Sequence, residues 1–314
     1  MIISVRMTSS ATTMSMPAPE TANRRIGIDL GGTKIDAIVL DHNDRIVFEK
    51  RADTPKDYAG MVKAVAALVA EAGQGSVGIG APGSADPETG IWRNSNYQPA
   101  NGKPMKKDLK AATGRAVRLE NDANCFALSE AKDGAGQGFK IVAFFTIGTG
   151  LGGGLVINGE IIRGAHAEAA EFGHTGLPWM TPEDWPPVPC FCGKAGCTEM
   201  YVSGTGLAGD FQRVTGRAMA GPDIISAARA GDAQCHAAIK RMQTRFARVC
   251  ANLINIVDPD VFVMGGGMSS LPEFVEDLPA HIAPFTFSGH ALPKVVRARH
   301  GGNSGVRGAA RLWE

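Results

Sequence analysis

The sequence predicts a duplicated α/β fold, and three observations predict it. A buried strand, a glycine-rich turn and a second strand occupy residues 25–40, and the same unit returns at residues 141–158, 118 positions later when counted from Gly31 to Thr149. Around these units, short β-branched runs alternate with segments of helical periodicity, the pattern of mixed α/β architecture. The 314 residues, 44% hydrophobic and 20% charged, are enough for one large or two medium domains with an ample core.

Taken in order, residues 26–28, 35–40 and 45–52 read as three strands joined by short turns, an antiparallel meander. Met61, Val65, Leu68 and Val69 recur at helical spacing within residues 58–72. A strand at 76–81 ends in Pro82-Gly83-Ser84, and a polar loop carrying Asn94 and Asn96 follows to about residue 104. A strand at 117–120 runs into Asn121-Asp122-Ala123-Asn124, after which residues 125–132 turn helical. The second unit comprises a strand at 141–147, a glycine turn at 148–154 and a strand at 155–157. Helices are expected at 203–212, 222–229 and 234–257, and a buried strand at 261–264 leads into Gly265-Gly266-Gly267. Residues 272–278 predict a short helix ended by Pro279, residues 295–298 a last strand, and a short helix starts at Val306.

Lysine plus arginine number 32 against 31 acidic residues, which leaves no electrostatic footprint for nucleic acid or a membrane surface. No apolar run reaches the length of a membrane span. Residues 1–24, with Met1, Met7, Met14 and Met16 in a Ser/Thr/Ala/Pro-rich stretch, read as an unstructured tail without the apolar region of a signal peptide. Clustered cysteines without an export signal predict the cytoplasm.

The most informative segment runs from residue 168 to 199. Three of the six cysteines, Cys190, Cys192 and Cys197, fall within eight residues, with His174 sixteen residues upstream of the first. Cys190 and Cys192 are too close for a relaxed disulfide. Three thiolates and an imidazole form the ligand set of a closed, structural zinc site, and Gly193 and Gly196 let the chain wrap an ion; the alternative is a group of buried free thiols. A metal there would also fix Glu171 and Glu199 in space. Cys125, Cys235 and Cys250 read as structural.

The glycine turns at 31–32, 148–154 and 265–267 each follow an apolar strand and expose backbone N–H groups to which a phosphate can come close, although tight hairpins would look the same. None matches the P-loop or the dinucleotide fingerprint. Asp29 stands at a strand end where it can reach a magnesium ion directly or through water. Lys34 is placed to approach phosphate or to stay a solvated charge. Asn121 and Asp122 occupy a strand-to-helix junction, where a helix N-cap is expected, but phosphoryl transfer also needs a carboxylate beside the attacking hydroxyl, and Asp122 is the candidate. Asn121, Glu171, His174 and Glu199 have the chemistry to hold sugar hydroxyls.

Asp29-Leu30-Gly31-Gly32-Thr33-Lys34, Glu120-Asn121-Asp122-Ala123-Asn124, Gly148-Thr149-Gly150-Leu151-Gly152-Gly153-Gly154, Glu171-Phe172-Gly173-His174 and the Cys190–Glu199 segment, in that order, resemble the ROK family of bacterial sugar kinases and repressors over about residues 25–312. The resemblance implies two actin/hexokinase-like α/β lobes (a duplicated ribonuclease H-like domain) with a cleft between them and a zinc-bound loop. The small lobe would comprise residues 25–134 plus 304–314, and the large lobe residues 135–303. Asp122 would take the proton from the primary hydroxyl of a hexose. Asn96, Asn121, Glu171, His174 and Glu199 would hold the sugar, while His174, Cys190, Cys192 and Cys197 bind zinc. Gly31, Gly32, Thr33 and Lys34 with Gly148, Thr149 and Gly150 would hold the phosphates of MgATP, Asp29 its magnesium, and Gly266 and Gly267 the adenosine. A homodimer is the family's common state. One departure stands out: the family usually has glycine before the glutamate of Glu171-Phe172-Gly173-His174, and here it is Ala170. If that position takes positive φ, alanine is strained by about 1 kcal/mol. His166 reads as a loop residue.

Two function classes follow: an ATP-dependent hexose 6-kinase, or a sugar-responsive repressor carrying a DNA-binding module. The kinase is expected, because about 24 residues before the first glycine turn are too few for a helix-turn-helix domain. Pro82-Gly83-Ser84 with Arg93-Asn94-Ser95-Asn96 looks most like the fructokinase/mannokinase branch, and residues 121–131 with Asn101-Gly102-Lys103-Pro104 look as much like N-acetylglucosamine kinases. Fructose is the expected acceptor, with N-acetylglucosamine, glucose and mannose as the alternatives.

Overall fold

The structure, a computed structural model, describes residues 23–287 and 292–314; the tail expected over residues 1–24 lies outside them up to residue 22. Strands β1 (Arg25–Leu30), β2 (Lys34–Leu40) and β3 (Ile46–Asp53) form the expected antiparallel meander, with Ile28 opposite Ala37 and Val39 opposite Phe48. Helix α1 (Tyr58–Ala72) is capped by Asp57, whose carboxylate accepts the Gly60 N–H at 2.8 Å, and it buries Met61, Val65, Leu68 and Val69. It carries the chain to β4 (Ser76–Ala81), parallel to β1. A small hairpin of β5 (Ser84–Ala85) and β6 (Trp92–Arg93) precedes α2 (Met105–Thr113), β7 (Val117–Asn121) and α3 (Asp122–Asp133).

The second meander is β8 (Ile141–Ile147), β9 (Leu151–Ile157) and β10 (Glu160–Ile161). After a long irregular segment come α4 (Gly204–Thr215), α5 (Gly221–Arg229), α6 (Ala233–Val257), β11 (Val261–Gly265), α7 (Leu278–Ile282), β12 (Lys294–Arg297) and α8 (Ser304–Ala310). Among the described residues the two larger sheets run β3-β2-β1-β4-β7 and β10-β9-β8-β11-β12. In both, the first three strands pair antiparallel and the last two are added parallel. The duplication read from the glycine turns is therefore a duplication of topology.

Each sheet has its own apolar core. The first is built from Ile26, Ile28, Val65, Val77 and Ile79. In the second, Phe145 meets Phe246 edge-on at 5.0 Å and Phe262 at 5.7 Å. The two halves meet through α3 and α8. Helix α8 lies against β1 and β4 where Gly27 and Gly78 face each other; a side chain at either would strike the backbone of α8, at Val306 and Ala309. Helix α3 approaches β9 as closely, because Gly154 leaves room for Ala123 and Ala127.

Two expectations are corrected. The glycines at 152–154 belong to a strand that starts at Leu151, not to the turn; a side chain at Gly152, Gly153 or Gly154 would meet Thr146, Phe172 or Ala127, so they are bare for packing reasons. Pro279 does not end a helix but sits in the first turn of α7, where its missing N–H costs nothing; residues 272–274 form only a 3₁₀ turn.

Candidate active site in the cleft

Parallel strands present their C-terminal ends to one side of a sheet, and β1 and β7 deliver Asp29 and Asp122 there. Both line a cleft of about 1580 Å³ that also receives Asn96, Asn121, Gly148, Thr149, Gly150, Glu171, His174, Cys192 and Glu199. The junction assigns the helix cap and leaves Asp122 free of it. Asn121 is the N-cap: its Oδ1 accepts the N–H groups of Ala123 at 2.9 Å and Asn124 at 3.2 Å, and its Nδ2 donates to the Gly83 carbonyl at 3.1 Å. Asp122, one residue on, accepts the Ala123 N–H at 2.8 Å. Burial lifts its carboxyl above the ordinary range, and hydrogen bonding from Ala123 opposes the shift. Burial also raises the Asp29 carboxyl to about 7, with the charges of Asp122 and Asp36 adding and Lys34 offsetting. The charge of Asp122 thus opposes ionisation of Asp29, and a hard divalent cation beside Asp29 would relieve it.

The opposite wall is the segment after β10. Glu171 is the centre of a tight turn closed by the Phe172 N–H on the Ala170 carbonyl at 2.7 Å, with φ −70° and ψ 55°. Phe172 anchors the turn on Phe145 at 5.1 Å, so the next side chain back points from a fixed base. Ala170 has φ +66°, the left-handed conformation that costs alanine about 1 kcal/mol. Desolvation raises the Glu171 carboxyl; His174 pulls it down, while Asp122, Glu168 and Glu199 push it up.

His174, Cys190, Cys192 and Cys197 come together with all ligand atoms within 4.8 Å of one another. Nδ1 of His174 is 3.8 Å from Cys190 Sγ, and Cys192 Sγ is 3.5 Å from Cys197 Sγ. Gly193 and Gly196 take φ of 86° and 83°, the wrapping that their place between the cysteines suggested. Three soft sulfurs and a ring nitrogen fit a tetrahedral metal with no place for water.

The two glycine turns are held differently. In the first, Gly31 N–H reaches the Lys34 carbonyl at 2.9 Å, Thr54 N–H the Thr33 carbonyl at 3.0 Å, and Thr54 Oγ1 the Gly31 carbonyl at 2.7 Å. In the second, Leu151 N–H donates to Glu199 Oε2 at 2.9 Å, Gly204 N–H to the Gly148 carbonyl at 2.7 Å, and Thr205 Oγ1 to the Thr149 carbonyl at 2.9 Å. A side chain at Gly150 would collide with the Glu199 carboxylate. Gly31, Gly32, Thr33, Gly266 and Gly267 do not line the cleft, and neither do Cys190 and Cys197, which stand behind its wall. Lys34 is also off the lining, half-exposed, with Nζ 3.2 Å from Asp36. His166 lies in a loop, as expected, and its carbonyl is engaged by Arg93.

Sequence reasoning gave no site role to Glu120, Arg163, Gly302 and Gly305, and Glu168 reads there as a decoy carboxylate. Glu168, Gly302 and Gly305 line the cleft. Glu120 Oε1 accepts the Asn121 N–H at 2.9 Å and Asn124 Nδ2 at 3.0 Å, and its other oxygen pairs with Arg163. A charged residue closing an apolar strand was the available signal for Glu120; Arg163, 43 positions away, gave none.

This arrangement, two topologically repeated α/β halves around a cleft with one buried aspartate at a helix start and glycine turns nearby, is suited to phosphoryl transfer onto a bound hydroxyl. A sequence model of the ROK family matches residues 25–314. The N-acetyl-D-glucosamine kinase of Salmonella heidelberg is 43% identical over 300 residues, which cover 91% of this chain and 98% of that protein. The ROK hexokinase of Thermus thermophilus superposes with a TM-score of 0.82 at 32% identity, covering 91% of this chain and 96% of the other. A ROK family glucokinase of Streptomyces griseus, solved with glucose and AMPPNP, gives 0.74 at 32% identity over 92% and 99% of the two chains. The chain belongs to the ROK family, and it is an ATP-dependent sugar kinase. No helix among the described residues is long and apolar enough to cross a membrane.

Proposed function

We propose that this chain is an N-acetyl-D-glucosamine kinase that transfers the γ-phosphoryl group of MgATP to the 6-hydroxyl of the sugar. The observation that carries the acceptor is the 43% identity to a kinase of that name along nearly its whole length. Fructose, the acceptor expected from the loops at 82–90 and 93–96, finds no support in these relatives and becomes the second choice.

In this reading Asp122 accepts the proton of the 6-hydroxyl as its oxygen attacks the γ-phosphorus, the bond to the β-phosphate oxygen breaks, and ADP leaves. A carboxyl raised by burial is the better base. Asn121, with Oδ1 and one N–H already used, keeps one N–H for a hydroxyl. Glu171, Asn96, the second oxygen of Glu199 and the outer ring nitrogen of His174 supply the other partners. In the turns Gly31–Thr33 and Gly148–Gly150, the N–H groups of Gly31 and Gly148 are spent on the Lys34 and Gly150 carbonyls, so those of Gly32, Thr33, Thr149 and Gly150 would serve phosphate. Gly266–Gly267 would flank the adenosine, and Asp29 would face the magnesium ion, which neutralises charge on the phosphates. Lys34, paired with Asp36, is given no phosphate contact. Zinc on the cysteine–histidine cluster would hold the Glu171 and Glu199 segments together, and metal analysis of the purified protein should return about one zinc per chain. The lobes are assigned to residues 25–134 with 304–314 and to residues 135–303.

The test is a steady-state panel of N-acetylglucosamine, glucose, mannose and fructose with MgATP. N-acetylglucosamine should give the highest kcat/KM; a higher value for fructose overturns the acceptor, and no turnover of any sugar overturns the site. Because the base must be ionised, kcat/KM should fall as pH drops through a pKa above the usual aspartate range.

A further inference from the structure

We propose that Arg93 is a positioning residue for the sugar, fastening the loop that leads to Glu171 onto the hairpin that leads to Asn96 across the mouth of the cleft. The inference rests on the sugar reading of that cleft. Arg93 ends β6, opposite Ser84, three residues before Asn96. Its guanidinium is divided between the two walls. Nη1 lies 3.3 Å from Asp86 on its own hairpin, while Nη2 donates to the His166 carbonyl at 2.9 Å and lies 3.4 Å from Glu168.

The loop needs such a tie. Between Arg163 and Glu171 it has no regular secondary structure, and Ala167 and Ala170 both have positive φ, at 54° and 66°. Alanines in that conformation persist only where their surroundings over-determine them. The loop is held at its start by Arg163, paired with Glu120 beside Asn121, and near its end by Arg93, three residues from Glu171 at Glu168. Arginine suits the second role because its planar fork spans a carboxylate on one side and a carbonyl on the other, which a lysine ammonium cannot reproduce. Arg93 is not on the cleft lining, so it acts through the loop rather than on the sugar.

The experiment compares wild type with Arg93→Ala and Arg93→Lys, using whichever sugar the wild type phosphorylates best. The KM for sugar should rise by about tenfold or more in the alanine variant, since small displacements of positioning groups are costly. The KM for ATP and the thermal midpoint should stay unchanged, and lysine should restore part of the loss. Amide hydrogen exchange should quicken at residues 164–171 and not at residues 76–81. An unchanged KM for sugar, or equal rises in both KM values with a lowered midpoint, overturns the proposal. If the wild type phosphorylates no sugar the cleft reading fails, and unchanged exchange at 164–171 then overturns the role of Arg93 independently.

Discussion

The turn between β1 and β2 and the turn between β8 and β9 occupy equivalent places in two sheets of the same strand order, yet they are anchored in unlike ways. The first is tied by Thr54, one residue past the end of the neighbouring strand of its own sheet. The second is tied by Glu199, Gly204 and Thr205, which arrive 48 to 56 positions later from beyond the cysteine cluster. The difference teaches how a repeated scaffold becomes an asymmetric enzyme. The first turn is a local unit, whereas the second is wired to the segment that carries Glu199, which we propose faces the sugar. On that proposal, occupancy of the sugar side would be felt at the second turn through the Glu199 side chain and the neighbouring ties of Gly204 and Thr205, and at the first only through movement of whole halves.

The largest way to sharpen that contrast is at the base itself. Asp122→Asn keeps the helix start, which Asn121 caps, and should lower kcat by about 10²–10⁴-fold with the fold intact; near-normal turnover would remove Asp122 from the chemistry. Next is Glu199→Ala, which strips the Leu151 N–H of a charged acceptor worth about 1.5–3 kcal/mol. It should raise KM for both sugar and ATP by roughly 10–100-fold, and a rise for sugar alone would break the proposed wiring. Thr54→Val removes one neutral hydrogen bond, worth about 1 kcal/mol, at the first turn. ATP affinity should fall about fivefold with the sugar KM untouched; if this variant matches Glu199→Ala in effect, the two anchors are equivalent after all. The smallest effect belongs to Ala170→Gly, which relieves a left-handed alanine by about 1 kcal/mol and should raise the thermal midpoint by about 2 °C. Calorimetry showing a lowered midpoint would mean that the methyl's packing outweighs its strain.

What could be read beforehand was whatever the chain encodes locally. The strand–turn–strand units announced themselves through apolar alternation closed by glycine, and α1 through four apolar residues that do face the first core. The cysteine spacing pointed to a metal-ligating group, and those four side chains do come together; Ala170 could be singled out only through the resemblance, because the family usually has glycine at that position. What stayed hidden depends on distant partners. Nothing near Gly152–Gly154 says whether bare residues bend a turn or admit a helix; that is settled by Ala123 and Ala127 of α3 and by Phe172. The Leu151–Glu199 bond, the Arg163–Glu120 pair and the grip of Arg93 on His166 each join residues more than forty positions apart, with no periodicity to betray them. The choice of sugar was the least legible, because N-acetylglucosamine, glucose and mannose differ at a single ring carbon and the cleft wall that would read it is assembled from residues far apart in the chain.

The trough made by Gly27 and Gly78 has a consequence for the order of assembly. Those strands are made early, but the element that fills the space beside them is residues 304–310. As the polypeptide emerges from the ribosome, the first sheet must wait with a bare flank until residues 304–310 have been translated. Its five strands can pair in advance, but they cannot close over a finished interior. A nascent chain stalled before residue 304 should accordingly be captured by chaperones through its amino-terminal half, although that half was the first to be made.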